Sequence, residues 1–405
     1  MVDNFFNVVI PTRNRLRTLQ HSLKTVLNQN YDNYIVVVSD NNSSDGTREY
    51  IEGLNCDKIK YYNTGKSLSM SSSFEFAISK INDGFVIVIG DDDGLLQNSL
   101  TCINSIINRE KVLAISSRVI GYHWPGGGPD ENTIRIPPLN GRIERKKSTE
   151  VIAKVLSGYL DYSHLPILYT GGVVHSSLIA LVKSKNNNKF YNSFTPDMYS
   201  GFAVASVVDE FARSYASFAI AGCSSYSNGL SQFSAKGNTS VASNFFLEND
   251  IPFHPKLGNG KVKSISLLVL EAYMKCDFLR QERNDKINLQ KQFEIAVATS
   301  KKVFRTEVID YLKSSCNFNP AKVSMTNIRI YFRSFTYTLH NIIHKYLEFL
   351  FCDDRINVEN IVNNVYEASL YITGTNSNFI KRVFHKLGYI KLRISLLYNK
   401  LSMGD

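Results

Sequence analysis

The chain has 405 residues, of which 43% are hydrophobic and 12% aromatic, which excludes a disordered protein and allows two or three domains. Its net charge of +10 and pI of about 9.1 favour an anionic partner such as a nucleotide, an acidic polymer or a phospholipid surface. A chain that is simply basic explains the charge at least as well.

The cysteines and the first residues indicate the compartment. Six cysteines stand far apart without a CxxC pair, which predicts reduced thiols and argues against a zinc site. Asp3 stands where a signal peptide carries positive charge, and no stretch approaches the roughly 20 apolar residues that span a bilayer. We therefore expect a cytoplasmic protein.

The first hundred residues alternate between apolar strand patterns and helical patterns. Strands are predicted at 5–10, 34–40, 58–63 and 85–90, and helices at 15–29, 47–54 and 71–81. Such alternation predicts parallel βαβ units and an α/β fold with a doubly wound, mostly parallel sheet. Further along the chain, strands are predicted at 112–124 and 214–222, a strand and turn leading into a helix at 165–179, and a helix within 194–212.

The pattern changes near residue 251, where strand signals end. Helical periodicity is present at 262–281, 289–304, 328–351 and 356–372. We predict two domains, an α/β domain over 1–250 and an all-α domain over 251–405. Within the first, we expect two halves, 1–110 and 111–250.

Polar strings follow three of the predicted strands. They are PTRN at 11–14, DNNSSDG at 40–46 and DDDG at 91–94. Ligands of doubly wound sheets bind at the carboxyl ends of the strands, where these strings converge. Their convergence predicts a binding site at this edge of the sheet.

Three consecutive aspartates repel one another unless a positive charge is present. Mg²⁺ and Mn²⁺ prefer oxygen ligands and bridge carboxylates to phosphates, so a divalent cation is a suitable partner. If the strand continues extended, Asp91 and Asp93 point to one side and Asp92 to the other. The alternative is an aspartate-rich turn that caps a helix beginning near Leu95.

The string VVIPTRNRLRTLQHSLKTVLNQNYDNYIVVVSDNNSSDGTREYI, followed by GDDDGLL, resembles the nucleotide-sugar-binding half of family 2 glycosyltransferases. The resemblance covers about residues 5–125 and extends loosely to 225. It implies the GT-A fold, a Rossmann-like doubly wound sheet, in which residues 1–110 bind the nucleotide-sugar and residues 111–250 bind the acceptor. It also implies transfer of a sugar from a nucleotide-sugar, most often a UDP-sugar, with inversion, in the synthesis of surface polysaccharides such as capsule or O-antigen.

The resemblance also implies roles for particular residues. Those implied to bind the nucleotide-sugar are Pro11, Thr12, Arg13, Asp40, Lys66, Ser69, Asp91 and Asp92. In the DxD motif, Asp93 and Asp91 are the implied ligands of Mn²⁺ or Mg²⁺. Family members often carry two acids where this chain has Ser39 and Asp40, so the base of the donor stays open.

The acceptor is expected to be a hydroxyl of a glycan or of a lipid-linked glycan, whose proton a carboxylate must accept. In inverting members this base lies downstream of the DxD motif near the start of a helix, which favours Asp197 in FTPDMYSG. A first-turn acid or cap is the alternative for Asp197. Asp209 and Glu210 are the next candidates, although acids within a helix more often form a solvated face.

Three other features of the sequence each have two interpretations. Trp124 is either part of an acceptor platform with His123 or a core residue, and His175 is either a third metal ligand or structural. The pair Gly171–Gly172 either lets a backbone approach the donor sugar or forms a turn.

Residues 379–401 carry six Lys/Arg, no acid and one apolar helical stripe. This pattern is typical of a helix in an anionic bilayer interface, which would place the protein peripherally on the inner face of the plasma membrane. A terminal helix packed on its own domain explains the pattern nearly as well.

Two other functions remain open. A sugar nucleotidyltransferase also uses a doubly wound sheet, but PTRNRLRTL lacks the glycine-rich loop that usually follows the first strand there. A basic module without catalysis that binds nucleic acid or membrane is the second. The sheet half shows no interleaving of aromatic and basic residues, so nucleic acid is not an expected partner.

Overall fold

The computed structural model describes residues 2–126, 128, 130–225, 247–280, 287–319 and 354–374. Among these residues, eleven strands form one mixed sheet. The first part contains β1 (Phe6–Thr12), α1 (Leu16–Leu27), β2 (Tyr34–Asp40), α2 (Thr47–Gly53), β3 (Ile59–Asn63), α3 (Met70–Ile78) and β4 (Phe85–Val88). Strand β1 pairs in parallel with β2 and β4, and β2 pairs in parallel with β3. The predicted βαβ units are therefore confirmed.

Burial explains why these segments form strands and helices. Val8 and Val9, adjacent in β1, are both fully buried, as expected of a central parallel strand covered on both faces. In α1 the buried side chains include Leu19, Leu23 and Val26, which recur at helical spacing. Each helix thus buries one face on the sheet.

The second part adds antiparallel strands beside the parallel ones. It contains β5 (Gly94–Leu95), α4 (Ser99–Glu110), β6 (Ala114–His123), β7 (Thr133–Ile136), β8 (Ile143–Lys147), α5 (Ser148–Leu156), β9 (Gly172–His175), α6 (Ser176–Ser184), α7 (Pro196–Val207) and β10 (Glu210–Cys223). Strand β9 lies antiparallel between β4 and β6. Strand β10 runs parallel to β6 and also pairs with β5 and β8.

The aspartates lie in a turn and not in an extended strand. Strand β4 ends at Val88, and the N–H of Asp93 donates to the carbonyl of Gly90 at 3.1 Å. An extended course through Asp91–Asp93 is therefore wrong. The capping alternative is also wrong, because α4 begins at Ser99, beyond the short strand β5.

The described C-terminal residues are mostly helical, which confirms the predicted fold class. They contain α8 (Ile265–Met274), α9 (Leu289–Thr299), α10 (Arg305–Ser315), β11 (Asp354–Asn357) and α11 at residues 365–374. Helix α8 packs against α7, with the rings of Phe202 and Tyr273 at 5.4 Å between centroids. Its apolar side chains share one buried cluster with sheet residues such as Val9 and Val37. The domain division at 250/251 stays a prediction.

Strand β11 has no counterpart in the sequence analysis. It pairs antiparallel with β7, so the helix predicted at 356–372 begins only at residue 365. Between β11 and α11, the hydroxyl of Tyr122 donates to the carbonyl of Val362 at 3.3 Å. The backbone of 354–357 thus satisfies its hydrogen bonds on the sheet, although helical periodicity runs through the segment.

Two predicted segments, 328–351 and 379–401, lie outside the described residues. In the parts of the chain that are described, no helix combines the length and apolar character needed to cross a bilayer.

The pair Gly171–Gly172 forms a tight turn for a steric reason. The N–H of Gly172 donates to the carbonyl of Tyr169 at 2.8 Å, and a Cβ on Gly172 would lie 1.6 Å from the carbonyl oxygen of Ile167. A backbone oxygen cannot rotate away as a side chain can. The turn therefore requires glycine at this position.

We expect Gly172→Ala to lower the free energy of unfolding by about 3 kcal/mol or more, because the backbone of 167–172 must move. Gly121→Ala in β6 is the matched control, since its Cβ would meet nothing closer than 3.5 Å and should change stability by under about 1 kcal/mol. Urea unfolding of both variants measures the difference. Equal midpoints would contradict the steric argument.

Candidate active site

The three polar strings predicted at strand ends meet in the structure. Thr12 at the end of β1 lies opposite Asp40 at the end of β2 in the parallel register. The hydroxyl of Thr12 donates to Oδ2 of Asp91 at 2.8 Å in a buried contact. The carboxyl ends of β1, β2 and β4 therefore bring their polar side chains to one edge of the sheet.

Asp91 is buried against a cation from the loop after β1. A guanidinium nitrogen of Arg15 lies 3.1 Å from Oδ1 of Asp91. Burial raises the pKa of Asp91 to about 6, the attraction of Arg15 opposes this rise, and Asp92 adds to it. The same ion pair raises the pKa of Arg15. Arg15 thus neutralises part of the charge of the aspartates.

Asp93 is held by donors from three segments. Oδ2 accepts from the N–H of Gly90 at 2.8 Å and from the hydroxyl of Thr170, while Oδ1 accepts from the N–H of Gly222 at 2.7 Å. The residue is only 2% exposed, and its burial together with the nearby Asp92 raises the pKa of Asp93 to about 7. Both of its oxygens are therefore engaged within the protein.

Asp92 joins the same turn to the end of β10. Its Oδ2 accepts from the hydroxyl of Ser224 at 2.6 Å, and its carbonyl accepts from the indole N–H of Trp124 at 3.0 Å. A Cβ on Gly222 would lie 1.8 Å from this carbonyl oxygen, so only glycine lets β10 approach so closely. Trp124 is 6% exposed and packs on Tyr122, in accord with the core interpretation.

Asp40 is fully buried and organises the loop after β2. Its Oδ2 accepts from the hydroxyl of Tyr61 at 2.6 Å and from the amide of Asn63 at 3.1 Å. Its Oδ1 accepts from the N–H of Ser43 at 2.8 Å. This network fixes the loop that borders the site.

The other residues predicted to bind the nucleotide lie around this edge. Arg13 pairs with Glu248 at 2.8 Å, next to the partly buried Pro11. Ser69 caps α3 and donates to Asp250. Lys66 is exposed in the preceding turn.

Asp197 stands in the first turn of α7, after Thr195 and Pro196. The hydroxyl of Tyr162 donates to its Oδ2 at 3.3 Å, and burial raises the pKa of Asp197. The ring of Tyr169 is close enough to Asp197 and to the three aspartates to feel the charges of all four. Burial raises the pKa of Tyr169, and the negative charges of Asp91–Asp93 and of Asp197 raise it further. Asp197 thus lies on the same side of the molecule as the turn 90–93.

Asp209 and Glu210 do not lie near this site. In the parallel pairing of β10 with β6, Ala212 is opposite Ile115 and Gly222 is opposite Tyr122. Tyr122 follows Ile115 by seven residues in β6. At about 3.3 Å per residue this separates the two ends by roughly 23 Å. Glu210 approaches Arg145 at 3.6 Å instead. His175 caps α6 and packs edge-on against Phe85, also away from the aspartates.

Several residues of the site were missed by the sequence analysis. They are Arg15, Tyr162, Tyr169, Thr170, Gly222 and Ser224. Arg15 follows the PTRN string directly, and this position was a usable signal. The bonds to Thr170 and Gly222 span 77 and 129 residues of chain, so no local pattern could reveal them.

The charge of the aspartates suits a divalent cation, but their oxygens are engaged by donors within the protein. Among the described residues, no group of three or more His, Cys, Asp or Glu side chains is placed to hold a metal ion. Asp91 and Asp93 each accept from protein donors on both oxygens. To bind a cation, Asp91 would have to weaken its ion pair with Arg15.

We expect Asp93→Asn to lower the free energy of unfolding by about 2–3 kcal/mol, because the new amide nitrogen would face the N–H of Gly222 or Gly90. Asp92→Asn is the matched control, since its amide oxygen still accepts from Ser224. Thermal or urea unfolding measures both. A stability of Asp93→Asn equal to that of Asp92→Asn would show that the bonds to Asp93 do not support the fold.

The structure resembles solved glycosyltransferases only loosely. One is the S. aureus TarS fragment 1–349 in complex with UDP-GlcNAc, at 14% identity and a TM-score of 0.42, covering 77% of this chain and 88% of that one. A likeness of this degree carries no argument about the substrate.

Sequence comparison is more specific. GalNAc(5)-diNAcBac-PP-undecaprenol beta-1,3-glucosyltransferase of Campylobacter jejuni is 31% identical over 100 residues, 24% of this chain and 32% of that protein. Dolichyl N-acetyl-alpha-D-glucosaminyl phosphate 3-beta-D-2,3-diacetamido-2,3-dideoxy-beta-D-glucuronosyltransferase of Methanococcus voltae is 29% identical over 121 residues, 27% of this chain and 37% of that protein. The chain thus spans about a third of the length of these relatives. Residues 7–155 match the family described as Glycosyl transferase family 2.

Proposed function

We propose that this chain transfers a sugar from a nucleotide-sugar to a hydroxyl of a glycan or lipid-linked acceptor. The observation that carries the proposal is the meeting of Thr12, Asp40 and Asp91 at the carboxyl edge of parallel strands, within the family-matched part of the chain. In doubly wound sheets this edge is where nucleotides bind. A UDP-sugar is the donor to test first.

In this proposal Asp91 and Asp92 hold a Mn²⁺ or Mg²⁺ ion, and Asp93 positions them. Asp93 has the positioning role because its three hydrogen bonds join the turn 90–93 to Thr170 and Gly222. The cation would neutralise the charge that develops on the diphosphate leaving group. Arg15, beside Asp91, would contribute positive charge at the same place.

The loops after β1, β2 and β3 would hold the nucleotide. Asp40 stands at the end of β2 with its carboxylate fixed by Tyr61 and Asn63, which would orient it toward a ribose or base. Arg13 and Lys66 border the same edge and would contact phosphates. Positive charges there attract an anionic donor from solution.

Asp197 is the proposed base for the acceptor hydroxyl, consistent with an inverting reaction. Its raised pKa makes it a stronger proton acceptor than an exposed carboxylate, and the hydroxyl of Tyr162 holds it in place. The helix N-terminus under it stabilises its charged form. Asp197 therefore has both of the properties that a general base needs.

The names of the relatives support a lipid-linked acceptor and a role in surface polysaccharide synthesis. One acts on an undecaprenyl-diphosphate glycan and the other on a dolichyl-phosphate glycan, by their names. We propose the same class of acceptor here. The basic segment 379–401 would then bring the enzyme to the inner face of the plasma membrane.

The function is tested by incubating the full chain with a panel of nucleotide-sugars, Mn²⁺ and lipid-linked glycan. We expect release of nucleoside diphosphate from one donor, and a loss of about 100-fold in kcat/KM for Asp92→Asn. Asp83→Asn is the matched control, an exposed aspartate just before β4 at the opposite end of that strand. Absence of turnover and of metal-dependent donor binding across the panel would overturn the proposed function.

The pH dependence tests Asp197. A base acts when ionised, so activity should rise with pH through its raised pKa. The hydrogen bond from Tyr162 lowers that pKa, and Tyr162→Phe should therefore move the acidic limb to higher pH. Tyr50→Phe, in α2, should leave the limb in place.

The measurement is kcat/KM against pH for the wild type and both tyrosine variants. Asp197→Asn should lose about 10²–10⁴-fold in activity while retaining donor binding. An acidic limb that is unchanged in Tyr162→Phe, or full activity of Asp197→Asn, would remove Asp197 as the base.

A further inference from the structure

A second cleft opens beside the start of β10, away from the three aspartates. It has a volume of about 360 Å³ and lies between β8, α5 and the short 3₁₀ helix Tyr162–His164. Five basic residues line it: Arg145, Lys146, Lys147, Lys154 and Arg213. The acids in its lining are Glu150 and Glu210, so the formal balance is five positive against two negative charges.

Arg213 is a buried cation without an ion-pair contact among the described residues. Its side chain is part of a residue only 4% exposed, and one guanidinium nitrogen donates to the carbonyls of Ser117 at 3.0 Å and Ser163 at 2.9 Å. Within the described parts of the chain, its Nε has no hydrogen-bond partner and no carboxylate pairs with it. Burial lowers the pKa of Arg213 to about 10. An unpaired buried charge of this kind is costly unless a ligand compensates it.

The other cations divide into paired and unpaired ones. Arg145 lies 3.6 Å from Glu210 and 3.8 Å from Glu110, and Lys146 pairs with Glu144. Lys147 and Lys154 are exposed, and no carboxylate among the described residues is within ion-pairing distance of either.

Histidine adds no charge to the cleft near neutral pH. Burial and the neighbouring Arg213 lower the pKa of His164 to about 4. The neutral ring can still exchange a hydrogen bond with a ligand. The charges of the lining without an ion pair among the described residues are those of Arg213, Lys147 and Lys154, against the single negative charge of Glu150.

We propose that this cleft binds a phosphate-bearing ligand, with Arg213 at its base and Lys147 and Lys154 at its rim. A guanidinium with a free N–H and two flexible ammonium groups match the several acceptor oxygens of a phosphate. The volume is at the lower end of ligand pockets and suits a diphosphate or a phosphorylated sugar. The proposal does not depend on the function proposed above.

The cleft lies close to Asp197, the proposed base for the acceptor hydroxyl. Ser163, which accepts from Arg213, follows Tyr162, whose hydroxyl reaches Asp197. One turn of 3₁₀ helix therefore separates the cleft from Asp197. Ser117, whose carbonyl accepts from Arg213, donates to the carbonyl of Gly171, and the neighbouring Thr170 donates to Asp93.

The test is calorimetric titration of the full chain with sodium pyrophosphate in EDTA, which suppresses metal-dependent binding at the aspartates. We expect the double variant Lys147→Gln/Lys154→Gln to bind at least about tenfold more weakly than the wild type. The control double variant Lys185→Gln/Lys261→Gln removes the same charge from exposed positions outside the cleft and should bind within about twofold. Arg213→Lys should also weaken binding. If that variant does not fold, the comparison of the rim double variant with the control double variant still tests the proposal.

Absence of pyrophosphate binding by the wild type, or equal affinity of the wild type and the rim double variant, would overturn the proposal. Flotation with vesicles of phosphatidylcholine, with and without phosphatidic acid, identifies the source of the phosphate. Flotation that is lost only in the rim double variant supports a lipid headgroup. Cleft-dependent binding of pyrophosphate without such flotation supports a soluble ligand.

Discussion

The arrangement of the site depends on the carboxylate of Asp93. It accepts hydrogen bonds from the N–H of Gly90 in its own turn, and from the hydroxyl of Thr170 and the N–H of Gly222 in two distant segments. These bonds hold the turn after β4, the end of β10 and the loop before β9 together. Asp91 and Asp92 directly precede Asp93 in this turn.

The same turn concentrates negative charge in a buried place. Burial raises the pKa values of Asp91 and Asp93, which means that the fold opposes full ionisation of the group. Arg15 compensates one charge. A cation, alone or bound to a phosphate, would balance the negative charge that remains. The uncompensated charge of the buried aspartates is therefore the cause both of the electrostatic strain in the turn and of its proposed binding role.

Local patterns were sufficient to predict the strands β1 to β4, the helices between them and the edge where Thr12, Asp40 and Asp91 meet. Each of these follows from periodicity and strand ends. The conformation of the aspartates was not predictable, because the turn is set by Thr170 and Gly222. Strand β11 was missed for the same reason, since its partner β7 lies more than 200 residues earlier.

Part of the support for the acidic turn comes from late in the chain. A Cβ on Gly94 would lie 2.9 Å from Val365, and Leu96 packs against the apolar cluster that contains Val358 and Val365. About 270 residues separate Gly94 from this support. At roughly 5–20 residues per second, a ribosome needs on the order of 15–50 s to deliver it. During that interval the nascent domain carries its acidic turn without the apolar contact of Val365 beside Gly94.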